Sequence, residues 1–225
     1  MRTLRSIAAL PAGRGTDAIF RTSRAVLLAA GMMFWTGALA DGVERFRTFV
    51  RTTPSAAAQF EQKVYDRSGK LVQESRGRFA FLRPGRFNWI YTAPSSQRIV
   101  GDGARVWIYD EDLNQVTVRR MAKALGSTPA ALLAGSADLE QAFELTDAGE
   151  RDGLSWLDAR PRDKDAGFER IQLGLGAAGV QAMELVDHFG QTTRLRFSNL
   201  TRNPSFEADA FRFVPPKGAD VLGEQ

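Results

Sequence analysis

The segment Phe79–Tyr91, Phe-Ala-Phe-Leu-Arg-Pro-Gly-Arg-Phe-Asn-Trp-Ile-Tyr, decides the fold class of this chain. Aromatic residues recur at every second position on both sides of Pro84-Gly85, a pair typical of turns. Because successive side chains of a strand point to opposite faces, the aromatic residues share one face of a predicted hairpin. The residues on this face are Phe79, Phe81, Phe87, Trp89 and Tyr91, together with Arg83.

Short apolar or alternating segments separated by turn residues continue in both directions from this hairpin. Asp102-Gly103 is a strong hairpin signal, because glycine tolerates the positive φ that such turns require. The predicted strands are Gln59–Tyr65, Leu71–Leu82, Phe87–Thr92, Arg98–Val100, Arg105–Tyr109, Phe143–Leu145, Ser155–Ala159, Glu169–Leu173, Gln181–Val186, Thr192–Phe197 and Phe211–Val214. Arg160–Gly167 and Gly174–Gly179 have the composition of loops. We therefore expect a mainly β fold, with about ten or eleven antiparallel strands in one curved sheet and helices on one face.

Three helical segments are predicted. Gly42–Val50 places its apolar residues on one helical face and stops before Pro54, which lacks the amide hydrogen that a helix needs. Ser127 or Thr128 caps a helix that starts at Pro129, and Gly135 ends it after Ala130–Ala134. Ser136 caps a third helix over Asp138–Ala142.

The first forty residues have the pattern of an export signal. Five arginines precede the apolar run Ala25–Leu39, and Ala38-Leu39-Ala40 is the small-x-small pattern that signal peptidase reads, so Asp41 is the expected mature start. The run is short for a bilayer, which takes about 20 apolar residues, although an uncleaved N-terminal anchor remains the alternative. The leader contains no Arg-Arg pair, which favours the general (Sec) export route. The true start codon lies at Met1 or downstream within the leader.

Charge and cysteine content exclude several classes of protein. Residues 1–40 hold five of the 30 basic and one of the 26 acidic residues, so residues 41–225 carry 25 of each and give no warrant for a nucleic-acid partner. The chain has no cysteine, which excludes disulfides, thiolate metal sites and the lipid-bearing cysteine of an anchored envelope protein. Residues 41–225 are expected to form one domain, freely soluble between the membranes.

The residue types needed for catalysis are largely missing. His188 is the single histidine, in the predicted turn Asp187-His188-Phe189-Gly190, and no Gly-x-Ser-x-Gly elbow or phosphate-binding Walker loop is present. We expect no catalytic residue, no metal site and no cofactor, and we interpret His188 as a solvated turn residue. A periplasmic hydrolase is the disfavoured enzymatic alternative, and it would need His188 as its base.

The aromatic face allows two interpretations. It can be the ordinary core of a closed β-sandwich, or the wall of an apolar concavity under a thin cover of helices. The helices predicted for residues 119–142 are short and rich in Ala and Leu, which makes them a poor filling for a large sheet. Arg83 on the same face favours the second interpretation if its guanidinium binds carbonyls of a covering helix, but a strand end in water would also accommodate it.

Several segments, in order along the chain, resemble the LolA family of periplasmic lipoprotein carriers. They are Phe60-Glu61-Gln62-Lys63-Val64, Arg83-Pro84 with Phe87-Asn88-Trp89, Asp102-Gly103 before Val106-Trp107-Ile108-Tyr109, Ser127-Thr128-Pro129, and Phe211-Arg212-Phe213-Val214-Pro215-Pro216-Lys217-Gly218. No single segment is specific, but the ordered set covers essentially the whole chain after the signal. It follows a leader with no lipid-bearing cysteine, which also disfavours the LolB type.

The resemblance implies an unclosed antiparallel β-barrel whose apolar cavity is capped by an α-helical lid. It implies a monomeric chaperone that takes triacylated lipoproteins from an inner-membrane ABC transporter to a LolB-like outer-membrane receptor. Arg83 matches the family's lid-latching arginine, Phe87 an aromatic at the cavity mouth, and Trp89 a cavity wall. The implied acyl-chain site comprises Phe79, Phe81, Phe87, Trp89, Tyr91, Leu132 and Leu133. Ala130-Ala131 stand where relatives can have bulkier side chains, which implies a less apolar lid.

A protein of the same fold with another role is the main alternative. It would carry a different envelope lipid or glycolipid, or sense lipoprotein status for a signalling pathway. The residues that line an acyl-chain cavity do not encode the head group, so the sequence leaves this alternative open.

Overall fold

One sheet of twelve strands makes up most of the chain that the structure, a computed structural model, describes: residues 41–124, 128–135 and 139–223. The strands are β1 (Ser55–Tyr65), β2 (Leu71–Leu82), β3 (Arg86–Ala93), β4 (Gln97–Asp102), β5 (Arg105–Asp110), β6 (Gln115–Arg120), β7 (Phe143–Arg151), β8 (Leu154–Pro161), β9 (Arg170–Gly176), β10 (Gly179–Val186), β11 (Thr192–Arg202) and β12 (Asp220–Gly223). The helices are α1 (Gly42–Thr52), α2 (Met121–Ala124), α3 (Pro129–Ala134) and α4 (Leu139–Ala142).

The strands follow the order β12-β6-β5-β4-β3-β2-β1-β11-β10-β9-β8-β7. All neighbouring pairs are antiparallel except β12 with β6, which is parallel. Within the described residues no pairing joins the two edges, β7 and β12, so the sheet curves without closing. The predicted unclosed β-barrel with short helices is confirmed.

Strand register places apolar side chains on one concave face. The first half of the sheet runs from β12 to β1 in the strand order, and there Phe79 lies opposite Trp89. The second half runs from β11 to β7, and there Leu173 lies between Met183 and Leu157. These side chains are buried and belong to one hydrophobic cluster. The concave face is therefore apolar in both halves of the sheet, as the period-two pattern requires.

Helix α1 covers the second half of this face. The Asp41 carboxylate accepts a hydrogen bond from the Glu44 amide at 2.7 Å, the N-cap contact that fixes the start of a helix. Val43, Phe46 and Phe49 are buried, and α1 packs against β7, β8, β9 and β10. Helix α3 packs against β2 and β3 in the first half. No helix among the described residues is long and apolar enough to cross a membrane.

The C-terminal segment corrects one strand prediction, and two observed strands were not predicted. Phe211–Val214 is not a strand, because its aromatic residues pack across the convex face: the Phe213 ring lies 5.7 Å from the Trp107 ring and 5.9 Å from the Tyr109 ring. The chain then adds β12 to the edge of β6. The sequence patterns missed both strands, since β12 has four residues and β6 has only two valines buried on one face. These strands raise the number from the predicted ten or eleven to twelve.

Gly174 and Gly176 also differ from the prediction, because they belong to β9 rather than to a loop. The Trp156 ring covers Gly174 so closely that an added Cβ would lie 2.9 Å from it. Glycine is therefore required here for close packing, and not for a turn. Arg160 and Pro161 likewise continue β8. The predicted leader (residues 1–40) and the caps at Ser127 and Ser136 lie outside the described residues.

Candidate functional site

An aromatic cluster lies at the centre of the concave face. The Trp89 ring centre is 4.2 Å from that of Phe60 and 4.8 Å from that of Phe79, while Phe79 and Phe81 are 5.7 Å apart. The predicted residues Phe79, Phe81, Phe87 and Trp89 are all buried, and Tyr91 is partly buried at one end of the cluster. Register therefore brings the five predicted aromatic residues together on one surface.

Sequence reasoning missed Phe60 and Phe197, which complete this surface. The two residues face each other across β1 and β11, and Phe197 lies 6.2 Å from Trp89 between ring centres. The period-two pattern Phe60, Gln62, Val64 marks the buried side of β1 and was a usable signal for Phe60. Leu195 and Phe197 alternate with Arg194 and Arg196 along β11, so the same kind of signal was available for Phe197.

The cluster has a polar end at Tyr91. Its hydroxyl donates a hydrogen bond to the Gln62 side-chain oxygen at 3.0 Å, and burial raises the pKa of Tyr91. Two partly buried isoleucines, Ile99 and Ile108, pack against the cluster from β4 and β5. The concave face is thus less completely covered on the β3–β5 side than under α1.

Helix α3 covers the cluster with Leu132 and Leu133, which are 1% and 3% exposed. Leu133 borders a cavity that also touches Phe79 and Phe81, and the volume of this cavity is only about 10 Å³. That is about the space that one water molecule needs. The interior beneath α3 is therefore filled, and an acyl chain enters it only if the helix moves.

Phe87 owes its position to a glycine on the next strand. Its ring lies where a side chain at residue 101 would be, with a ring carbon 2.5 Å from the place of an added Cβ on Gly101. The two residues are directly paired between β3 and β4, and Phe87 is fully buried. Gly101 therefore provides the space that allows this aromatic ring to pack flat on the sheet.

Arg83 connects the β2–β3 turn to α3 and α1. Its guanidinium donates hydrogen bonds to the Gly135 carbonyl at the end of α3 and to the Thr53 carbonyl after α1. The Gly85 amide donates to the Ala134 carbonyl at 2.9 Å, so the end of α3 is held twice. The Arg83 guanidinium also lies 4.6 Å from the centre of the Phe81 ring, and burial lowers the pKa of Arg83 to about 10.

His188 lies in the predicted turn after β10, where its Nε2 atom is 2.9 Å from the Ala166 carbonyl oxygen. Three or more His, Cys, Asp or Glu residues that could together hold a metal ion do not occur in the described part of the chain. The site is therefore built from an apolar surface, a helical cover and one arginine that binds neutral carbonyls.

The sequence profile described as outer membrane lipoprotein carrier protein LolA matches residues 51–214. This chain belongs to the LolA family. The resemblance drawn from the sequence segments is thereby confirmed, and the matched region includes Arg83, the aromatic cluster and α3.

LolA-family relatives cover nearly the same region. A protein of Dechloromonas aromatica (strain RCB) named outer-membrane lipoprotein carrier protein is 48% identical over 185 residues, 82% of this chain and 89% of that protein. One of the same name from Methylobacillus flagellatus is 48% identical over 200 residues, 89% of this chain and 97% of that protein. Among solved structures, an uncharacterized conserved protein from Thermus thermophilus has the same fold, with a TM-score of 0.50, 18% identity and coverage of 80% of this chain and 95% of that chain.

Proposed function

We propose that this LolA-family chain is a periplasmic carrier of triacylated lipoproteins. It accepts its cargo from an inner-membrane ABC transporter and delivers it to a LolB-like receptor at the outer membrane. Residues 1–40 act as a cleaved Sec signal peptide, and residues 41–225 form a single carrier domain that works as a monomer. The protein is a chaperone with no catalytic residue and no cofactor.

The observation that carries this proposal is the apolar concave face under short helices. Both halves of the sheet contribute buried apolar side chains to that face, and α3, which covers the aromatic cluster, is only six residues long. Each methylene removed from water contributes about 0.8 kcal/mol, so an acyl chain laid on this surface binds strongly. Relatives at 48% identity carry the name of lipoprotein carriers, which supports lipoprotein as the cargo.

Arg83 acts in this proposal as the latch that holds α3 over the empty face. The bonds from Arg83 and Gly85 to the end of α3 are all made to neutral backbone carbonyls, so α3 separates without breaking an ion pair. Closing α3 competes with cargo, because the covered interior is filled by Leu132 and Leu133. Such competition weakens apparent binding and permits release to a receptor.

The other residues of the proposed acyl-chain site form its wall, its mouth and its cover. Phe79, Phe81, Trp89 and Tyr91 form the wall that acyl chains contact. Phe87 lies beside Gly101 and Gly85 and is assigned to the mouth through which chains enter. The cover consists of Leu132 and Leu133 on α3, whose side chains leave the wall when the cargo arrives.

Release of lipoprotein from inner-membrane vesicles tests this function. The vesicles contain the ABC transporter and a labelled triacylated lipoprotein, and the purified protein (residues 41–225) is added with ATP. We expect lipoprotein in the supernatant as a one-to-one complex with the carrier, which depends on ATP and is absent when serum albumin replaces the carrier. The complex should then pass its lipoprotein to vesicles that contain a LolB-like receptor.

Retention of all lipoprotein in the vesicles, under conditions in which a relative from the same family releases it, contradicts the cargo assignment. If the same supernatant contains another envelope lipid bound to the protein, the lipid-carrier alternative replaces it.

A further inference from the structure

A groove outside the covered concave face is a candidate for a second ligand site. It lies between α1, α4 and the turn after β2, and its volume is about 610 Å³. Small-molecule sites in proteins usually occupy about 300 to 1,000 Å³. The groove shares no lining residue with the small cavity beneath Leu133, so it is a separate space.

The floor of this groove is apolar. Phe46 and Leu139 are buried at its base, while Val50 and Leu145 are partly exposed to it. The apolar residues that line the groove are Phe46, Val50, Pro54, Pro84, Leu139 and Leu145. A continuous apolar surface of this kind, open to solvent, favours a ligand with a hydrocarbon chain.

Cations predominate among the charged groups of the groove, which are Arg47, Arg51, Arg83 and Glu140. Glu140 is engaged by Arg47, with 2.7 Å between Nε and Oε1, and this contact lowers the pKa of Glu140. Among the described residues, Arg51 donates only to the Thr48 hydroxyl, at 3.2 Å, and Arg83 binds carbonyls. Within the described residues no carboxylate lies at ion-pair distance from Arg51 or Arg83. Two positive charges therefore remain uncompensated.

We propose that this groove binds a fatty acid, with the chain on the apolar floor and the carboxylate at the rim beside Arg51. Guanidinium groups bind carboxylates through paired hydrogen bonds, and an exposed guanidinium without a carboxylate partner makes such contacts without first breaking an ion pair. The site goes beyond lipoprotein carriage, because it lies outside the covered interior and takes a single-chain anionic amphiphile.

Calorimetric titration of the purified protein (residues 41–225) with decanoate, kept below its micelle concentration, tests the site. Decyltrimethylammonium, which has a ten-carbon chain and the opposite charge, serves as the matched probe. We expect decanoate to bind about tenfold more tightly or better, because only the carboxylate bonds to guanidinium groups. Equal affinity for the two amphiphiles overturns the assignment.

Substitutions in the groove locate the ligand. Val50→Asp places a carboxylate on the floor and should weaken decanoate binding by about tenfold, while Arg51→Gln removes the rim charge and should weaken it several-fold. Val72→Asp is the matched control, since Val72 is half exposed at the start of β2 and the groove lies beyond its end. It should leave decanoate affinity unchanged.

Two outcomes contradict the proposal. Decanoate affinity that is unchanged in both Val50→Asp and Arg51→Gln places the ligand elsewhere. Quenching of Trp89 fluorescence by 10-bromodecanoate, measured with phenylalanine at Trp107 and Trp156 and equally strong with and without Val50→Asp, places the chain on the concave face. Arg51 is exposed, so Arg51→Gln keeps the test decisive even if Val50→Asp fails to fold.

Discussion

Among single residues, Arg83 joins several separate parts of the candidate site. It binds the carbonyls of Thr53 and Gly135, which belong to segments on either side of the β2–β3 turn, and its guanidinium lies over the Phe81 ring. One nitrogen, Nη2, is buried with no hydrogen-bond partner among the described residues. When α3 leaves, this cation gives up hydrogen bonds to neutral carbonyls but no ion pair, which suits the proposed role of a latch that must open.

Replacement of Arg83 by leucine is expected to loosen α3. The Gly85 amide donates to the Ala134 carbonyl at the end of α3, so its hydrogen exchange reports directly on the attachment of that helix. Loss of charge-assisted hydrogen bonds should raise the exchange rate of this amide about tenfold or more, measured by NMR. Arg86→Leu, at the start of β3 next to this turn, should leave it unchanged. Equal rates in Arg83→Leu and wild type contradict the latch.

The latch should not respond to pH in the neutral range. Burial lowers the pKa of Arg83 to about 10, so the folded protein disfavours the charged form. The unfavourable contribution of the buried charge is therefore fully present below about pH 10 and declines only as pH rises above that value. Between pH 6 and 9 the protection of the Gly85 amide, corrected for intrinsic exchange, should be constant. A tenfold change in this interval would assign the attachment to another titrating group.

Substitution of Gly101 is expected to lower the stability of the fold, because the Phe87 ring occupies the space of a side chain at this position. An added methyl group would lie 2.5 Å from the Phe87 ring and 2.8 Å from the Gly85 carbonyl oxygen. Overpacking of this kind costs about 1 to 3 kcal/mol, so Gly101→Ala should lower the midpoint of thermal unfolding by several degrees. Ala104→Ser, at an exposed position of the adjacent turn, is the control. A Gly101→Ala variant as stable as wild type would show that the Phe87 ring moves freely.

Among the elements, those with local signals could be predicted and those with distant partners could not. The hairpin of β2 and β3 follows from alternating aromatic residues around Pro84-Gly85, and α1 follows from its apolar face and the stop before Pro54. The bond between Arg83 and Gly135 joins residues 52 positions apart, and no local pattern specifies its geometry. The family resemblance supplied the latch role that composition alone left open.

The C-terminal segment is a second case in which distant contacts could not be predicted from the local sequence. Phe211 and Phe213 alternate as strand residues do, yet Phe213 stacks on Trp107 and Tyr109 of β5 instead of pairing with a strand. Only the four residues of β12 join the sheet, in parallel with β6. Phe213 packs its side chain on the convex face, and the backbone of Phe211–Val214 does not pair with a strand. This arrangement depends on Trp107 and Tyr109, which lie about a hundred positions earlier in the chain.

Phe213→Ala is expected to free this segment from the sheet. Phe213 is partly buried, so the loss in stability should lie below the about 3 to 5 kcal/mol typical of a fully buried phenylalanine. Amides of β6 that β12 protects should exchange faster, while amides of β9 and β10 remain protected. Val214→Ala, at an exposed neighbouring position, is the control. Unchanged exchange in β6 would show that β12 pairs without help from Phe213.

For the whole molecule, the proposed carrier function depends on the difference between the two faces of one sheet. The concave face carries Trp89 within the aromatic cluster, while Trp107 lies on the convex side beneath Phe213 and Trp156 lies in a second small cluster with Leu154 and Ala182. Acyl chains held as proposed contact the first tryptophan and not the others. The chain thus contains its own reporters for the position of the cargo.

Fluorescence quenching in the released complex is the most direct test of the carrier account. Two variants each keep one of these tryptophans, at Trp89 or at Trp156, with phenylalanine at the other two positions of residues 41–225. Each is loaded with a lipoprotein whose acyl chains carry bromine, and with an unbrominated lipoprotein as reference. If acyl chains lie on the concave face, we expect strong quenching of Trp89 and none of Trp156. Quenching of Trp156 alone, or of neither tryptophan in a stable one-to-one complex, would contradict the claim that the concave face shields the acyl chains.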